Sequence, residues 1–122
     1  MEFPQSLRAD QLPAFLSEHP YAVIHLDAEW DNARLVVLKQ IEHLSASGHK
    51  DISFGYLDID LDHNRDHVKA IGLLNVPACS YYRRQELVAT VIGMNQDIAA
   101  NLAAIKAGGS PDRANRFEDF PP

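Results

Sequence analysis

Three groupings of residues could carry chemistry. In the stretch DAEWDNARLVVLKQ, an acid and a guanidinium, Asp31 and Arg34, stand three residues apart directly after Trp30. At a helix start that spacing lets the two side chains meet on one face. There Asp31 also serves as an N-cap that complements the positive helix end. The second grouping is His63 and His67, four residues apart with Asp62 and Asp66 beside them. That is metal-ligand spacing, but zinc takes at least three protein ligands and no third is identifiable, so the pair reads as a helix face. The third is Cys79, the one cysteine of the chain, two residues after Pro77 in an apolar run. A thiol so placed behaves as a small buried hydrophobe; reactivity requires exposure and a neighbouring cation.

Two further positions invite a chemical reading. His25 lies inside the apolar run YAVIHLDA. It is expected to be a satisfied core histidine bonded to the Tyr56 hydroxyl on the next strand. The run DIDLDHN has the outline of an EF-hand calcium loop, yet its sixth position is His63 and its twelfth Lys69. Calcium loops need glycine and a bidentate glutamate there.

The elements that must hold these residues follow from periodicity. SLRADQLPAFLSEHP gives a short amphipathic helix with Asp10 as N-cap, Leu12, Phe15 and Leu16 on one face, and Pro20 as its end. YAVIHLDA gives a buried strand. From Asp31 the apolar residues Leu35, Leu38, Ile41 and Leu44, with Val37 alongside, recur at three- and four-residue steps until Gly48, which predicts a helix of about four turns. ISFGYLDID gives a strand and DHNRDHVKAIG a short helix closed by Gly72. The two apolar runs around RRQE predict an antiparallel hairpin, with Arg83 and Arg84 as a solvated strand end. Asn95 is expected to cap a last helix with Ile98, Leu102 and Ile105 inward. An extra strand is expected at residues 2–5. The order α-β-α-β-α-β-β-α implies an α/β three-layer α/β/α sandwich, with a central mixed sheet of four to five strands flanked by about four helices.

A chain of 122 residues with 46% hydrophobic and 23% charged content is one ordinary globular unit. Its domain is expected at residues 1–108, with 109–122 as a loose tail. The net charge of −6 excludes a nucleic-acid partner, which needs a basic footprint. One cysteine excludes an internal disulfide and suits a reducing compartment. With no apolar run of membrane length and no signal-peptide pattern at the start, the expected location is the cytoplasm, away from membranes.

Over residues 10–107 the chain resembles thioredoxin. AEW at Ala28 to Trp30 stands where that family has A-E-W-C-G-P-C-K, and LDID at Leu57 to Asp60 resembles its L-N-I-D strand. Gly72 precedes the proline by five residues, VPA at Val76 to Ala78 resembles the cis-proline motif, and Gly93 matches the glycine after the last strand. The resemblance places Asp31 and Arg34 at the two redox-cysteine positions, with Asn32 and Ala33 between them. It places His25 at the buried aspartate and Tyr56 at that aspartate's lysine neighbour. Dithiol exchange needs one thiolate to attack and a second to resolve, so it is not expected here.

What the resemblance implies is a redox-inactive thioredoxin-like domain that binds a protein or extended peptide, chaperone-like, without a cofactor. Trp30, Asp31, Asn32, Arg34, Val76 and Pro77 would form the binding rim. The alternative is a monothiol oxidoreductase or redox sensor acting through Cys79 in cell redox homeostasis. A third reading is an assembly subunit docking through its acidic surface or the tail segment RFEDFPP, with the oligomeric state open.

Overall fold

The computed structural model describes residues 4–111. Its strands are β1 (Gln5–Leu7), β2 (Tyr21–Asp27), β3 (Ile52–Asp58), β4 (Ala78–Arg83) and β5 (Glu86–Ile92). Its helices are α1 (Leu12–Leu16), α2 (Arg34–Ala46), α3 (Arg65–Ala70) and α4 (Ile98–Lys106), with 3-10 turns at Ala9–Gln11 and Asp62–Asn64. The strands form one mixed sheet in the order β1-β3-β2-β4-β5. β1, β3 and β2 are parallel, while β4 is antiparallel to β2 and to β5.

β2 sits at the centre and sends alternate residues to opposite faces. Val23 packs with Val37, Ile41 and Leu44 of α2 and Ile98, Leu102 and Ile105 of α4. Ala22, Ile24 and Leu26 pack with Leu12, Phe15 and Leu16 of α1, and with Val68 of α3 beside them. Both faces are thus covered, as parallel strands require. Gly55 in β3 permits the second packing, because a Cβ there would stand 2.7 Å from Leu7 and 3.1 Å from Phe15. No helix among the described residues is long and apolar enough to cross a membrane.

Several local expectations are corrected. The added strand is β1 at Gln5–Leu7, not residues 2–5; of the expected segment, residues 2 and 3 lie outside the described residues. Asp10 does not cap the first helix: the chain enters through the 3-10 turn, with the Gln11 side chain accepting from the Arg8 N–H at 2.8 Å. α2 begins at Arg34, not Asp31, so its buried stripe is Val37, Ile41 and Leu44 while Leu35 stands exposed. Asp97, not Asn95, caps α4, its carboxylate accepting from the Ala100 N–H at 3.1 Å. Arg83 is no solvated strand end. Its guanidinium donates to the carbonyls of Ile105 and Gly109 at the C-terminus of α4, where a cation also complements the helix dipole. Of the expected tail, Gly109 accepts from Arg83 and Pro111 is buried, while residues 112–122 lie outside the described residues.

The hairpin turn carries a local cost. Arg84 and Gln85 both have positive φ, 51° and 71°. A two-residue loop of this hand favours Asn-Gly, since other side chains crowd the backbone there. Replacing Arg84→Asn together with Gln85→Gly is expected to stabilise the chain by about 1 kcal/mol. Urea unfolding measures it, and an unchanged midpoint would show that the turn carries no such strain.

Candidate functional site

The ends of β2 and β3, the start of β4 and the end of β5 meet at one end of the sheet. The register sets this: Asp27 pairs with Asp58, Leu26 with Ala78, and Ala78 with Ile92. Trp30 stands there 65% exposed, and its indole N–H donates to Asp60 Oδ2 at 2.6 Å. At the same end of the sheet the Val76–Pro77 peptide is cis, and the Pro77 carbonyl accepts from Gly93 N–H at 2.8 Å. Pro77 is buried, whereas Val76 is half-buried. The Val76 N–H is engaged by the side chain of Asn75, whose Oδ1 accepts it at 2.8 Å.

The strand end beneath this surface is polar. Alternation along β2 puts His25 and Asp27 on one face, both fully buried, with His25 Nε2 3.0 Å from Asp27 Oδ2. A carboxylate only accepts, so the imidazole donates. The second Asp27 oxygen accepts from the Ala28 N–H at 2.9 Å. This corrects the expected bond between His25 and the Tyr56 hydroxyl. Tyr56 instead meets His25 edge to face, with ring centroids 5.3 Å apart. Burial, then the charges of Asp58 and Glu29, pushes the Tyr56 hydroxyl well above its ordinary range.

Asp31 and Arg34 do not pair with each other. Arg34 reaches Glu29 Oε2 at 3.6 Å, and Asp31 lies near enough to Asp27 for that carboxyl to raise its pKa. Asp31 does not cap α2, whose N-cap is Ala33; its Oδ1 accepts from the Ala33 N–H at 3.0 Å, closing the turn before the helix. Asn32 is exposed in that turn and gives its carbonyl to the Leu35 N–H. Four buried polar atoms at this end lack a partner among the described residues: His25 Nδ1, Asp31 Oδ2, Arg34 Nε and the Tyr56 hydroxyl. The sequence reading had missed Asp27, Glu29, Asp60 and Asn75. Asp27 was accessible to it, because it lies two residues from His25 and so shares its face.

The remaining candidates lie elsewhere. Cys79 is fully buried opposite His25 and Val91, in the core under α2 and α4. Burial, followed by the charge of Asp27, holds its thiol far above the ordinary range. His63 falls in the 3-10 turn and His67 in α3, so they do not share one helix. His63 is exposed, while burial lowers the pKa of His67. Among the described residues no group of three His, Cys, Asp or Glu is placed to hold a metal ion.

The facing carboxyls make a pH prediction. The Asp31 pKa is raised from its ordinary 3.8, chiefly by the neighbouring Asp27 carboxyl and then by burial. A proton on Asp31 is therefore held more readily by the folded chain than by the unfolded one. This group's contribution to stability is full below 3.8 and is lost as pH rises through the folded value. Asp31→Asn keeps the acceptor for Ala33 and ends the repulsion. It is expected to raise Tm at pH 7 by about 1–2 °C, since Asp31 is only half-buried and solvent screens much of its charge, with the gain vanishing toward pH 3.5. A gain that persists unchanged at the acid end would place its cause elsewhere.

No family model matches the chain, and no curated protein does. Solved structures do. A point mutant of thioredoxin from Halobacterium salinarum is 21% identical over 84% of this chain and 88% of its own, with a TM-score of 0.70. Thioredoxin f2 of Chlamydomonas reinhardtii is 17% identical over 88% of this chain and 98% of its own, at 0.69. A further match, 22% identical over 85% of this chain and 93% of its own at 0.68, comes from a complex of thioredoxin f2 with ferredoxin:thioredoxin reductase. The five-stranded mixed sheet covered by four helices is that of these proteins: the chain has a thioredoxin-like fold.

Proposed function

We propose that the chain is a protein- or peptide-binding module that works without thiol exchange, using the sheet end around Trp30 and the Val76–Pro77 peptide. The observation that carries the reading is Trp30: a large apolar side chain left 65% exposed, yet held in place by Asp60. A fixed indole loses little freedom when covered, and covering it is worth roughly 2–4 kcal/mol. The positions that would need thiols hold Asp31 and Arg34, both engaged in polar contacts of their own. The burial of Cys79 speaks against the monothiol alternative, since attack on a disulfide requires an accessible thiolate. A thioredoxin-fold neighbour captured in complex with another protein supports a protein partner for this chain as well.

The Val76 main chain is the edge an extended partner would pair with. Its N–H is already taken by Asn75, so pairing requires Asn75 to turn away. In affinity capture from extract of the source cells, read by quantitative mass spectrometry, Trp30→Ala is expected to lower recovery of the bound protein about tenfold. Asn75→Ala, which frees the Val76 N–H, is expected to raise it. Equal recovery by wild type and Trp30→Ala, with Tm unchanged, would remove the rim from the account.

A further inference from the structure

The exposed apolar surface of this molecule is concentrated at one end. Trp30, Leu61, Leu74 and Met94 lie on segments that leave or enter the sheet beside Asp27, Asp58, Ala78 and Ile92. Leu35 and Val36, also exposed, are in the first turn of α2 at that end. Leu87, at the hairpin, is the one exposed large apolar residue at the opposite end among the described residues.

Charge is divided along the same axis. The Trp30 end carries Glu29, Asp58, Asp60, Asp62 and Asp97. Its three arginines are each paired, Arg8 with Asp10 at 3.2 Å, Arg34 with Glu29 at 3.6 Å and Arg65 with Asp62 at 3.2 Å, which leaves Asp58, Asp60 and Asp97 without an ion-pair partner among the described residues. The far end carries Lys50, Arg83, Arg84 and Lys106 beside Glu18, Asp51 and Glu86, with Lys106 paired to Asp51 at 2.9 Å, so it is close to balanced and the excess of negative charge lies at the Trp30 end. The apolar patch therefore sits inside a field of negative sign that its own cations do not cancel. Such a field accelerates approach of a positive partner and penalises a negative one. A segment that pairs its main chain with Val76 must be extended, with alternate side chains facing the surface.

We propose that the occupant of this surface is an extended peptide segment that lays an apolar side chain on Trp30 and carries lysine or arginine in the flanking positions. The proposal rests on the rim reading above and specifies the chemistry of its partner. Lys and Arg stems would cover the neighbouring leucines and Met94, while their heads reach Asp60 Oδ1 and the Glu29 Oε1 and Asp62 Oδ2 oxygens beside those that Arg34 and Arg65 already hold.

The test selects phage-displayed random dodecapeptides on the immobilised full chain and discards clones that also bind Trp30→Ala. The retained peptides are then synthesised and titrated. Trp30 is the only tryptophan of the chain, so its fluorescence reports the rim directly. The expected result is enrichment of Lys and Arg over Asp and Glu beside an apolar residue. Each Lys→Gln change in a peptide should weaken Kd roughly two- to fivefold, and affinity should fall between about 50 and 300 mM salt. Asp62→Asn in the protein, at an exposed position outside the core, should weaken the basic peptides by a similar factor. Trp30-dependent peptides without basic bias, or with acidic bias, would overturn the charge assignment and leave the rim reading standing. Failure to recover any Trp30-dependent peptide would overturn both.

Discussion

His25 and Asp27 meet at 3.0 Å with no exposed surface on either. A carboxylate is held in such a place only where hydrogen bonds replace its hydration, and Asp27 obtains them from the imidazole and from the Ala28 N–H. The Asp27 carbonyl in turn accepts from the Ile59 N–H at 3.0 Å, which extends the contact between β2 and β3 past the last paired residues. The end of β2 is thereby fixed on three sides, and everything functional hangs from it: the turn through Asp31, the indole of Trp30 and the entry to α2. Removal of either partner would leave a buried polar group uncompensated, a larger loss than the bond itself is worth.

The same contact sets the chemistry of its surroundings. Burial raises the Cys79 thiol and the Tyr56 hydroxyl, with Asp27 adding to both, and Asp27 is the chief cause of the rise at Asp31. A site organised in this way suppresses thiolate formation beneath the surface instead of promoting it. The role proposed for the surface above is recognition. Trp30 is held by Asp60, the cis Val76–Pro77 peptide lies at the same end of the sheet, and Gly93 closes the gap to β5 through its bond to Pro77.

Much of this was legible in the sequence. The order of strands and helices followed from periodicity, because the buried stripes of α1 and α4 and the continuous apolar run of β2 are strong local signals. The edge strand β1 was short, and only its general place could be read. Helix starts were misread at Asp10, Asp31 and Asn95 for one reason: a polar residue near a helix start signals a cap, but the choice of residue depends on where the preceding turn closes. Side-chain partners were the least legible. Sequence spacing put Asp31 with Arg34 and His25 with Tyr56, whereas the fold put Asp31 near Asp27, Arg34 on Glu29 and His25 on Asp27. In each case a partner on the end of β2 or in the turn that follows it won the contact, which a residue-by-residue motif comparison does not weigh.

The central claim is that a thioredoxin-like scaffold here serves binding and not thiol exchange. Reduction of insulin disulfides in the presence of dithiothreitol tests it most directly, followed by the turbidity of the released chains. The account predicts a curve that superimposes on that of dithiothreitol alone. An acceleration by the wild-type chain that is lost in Cys79→Ser would contradict it.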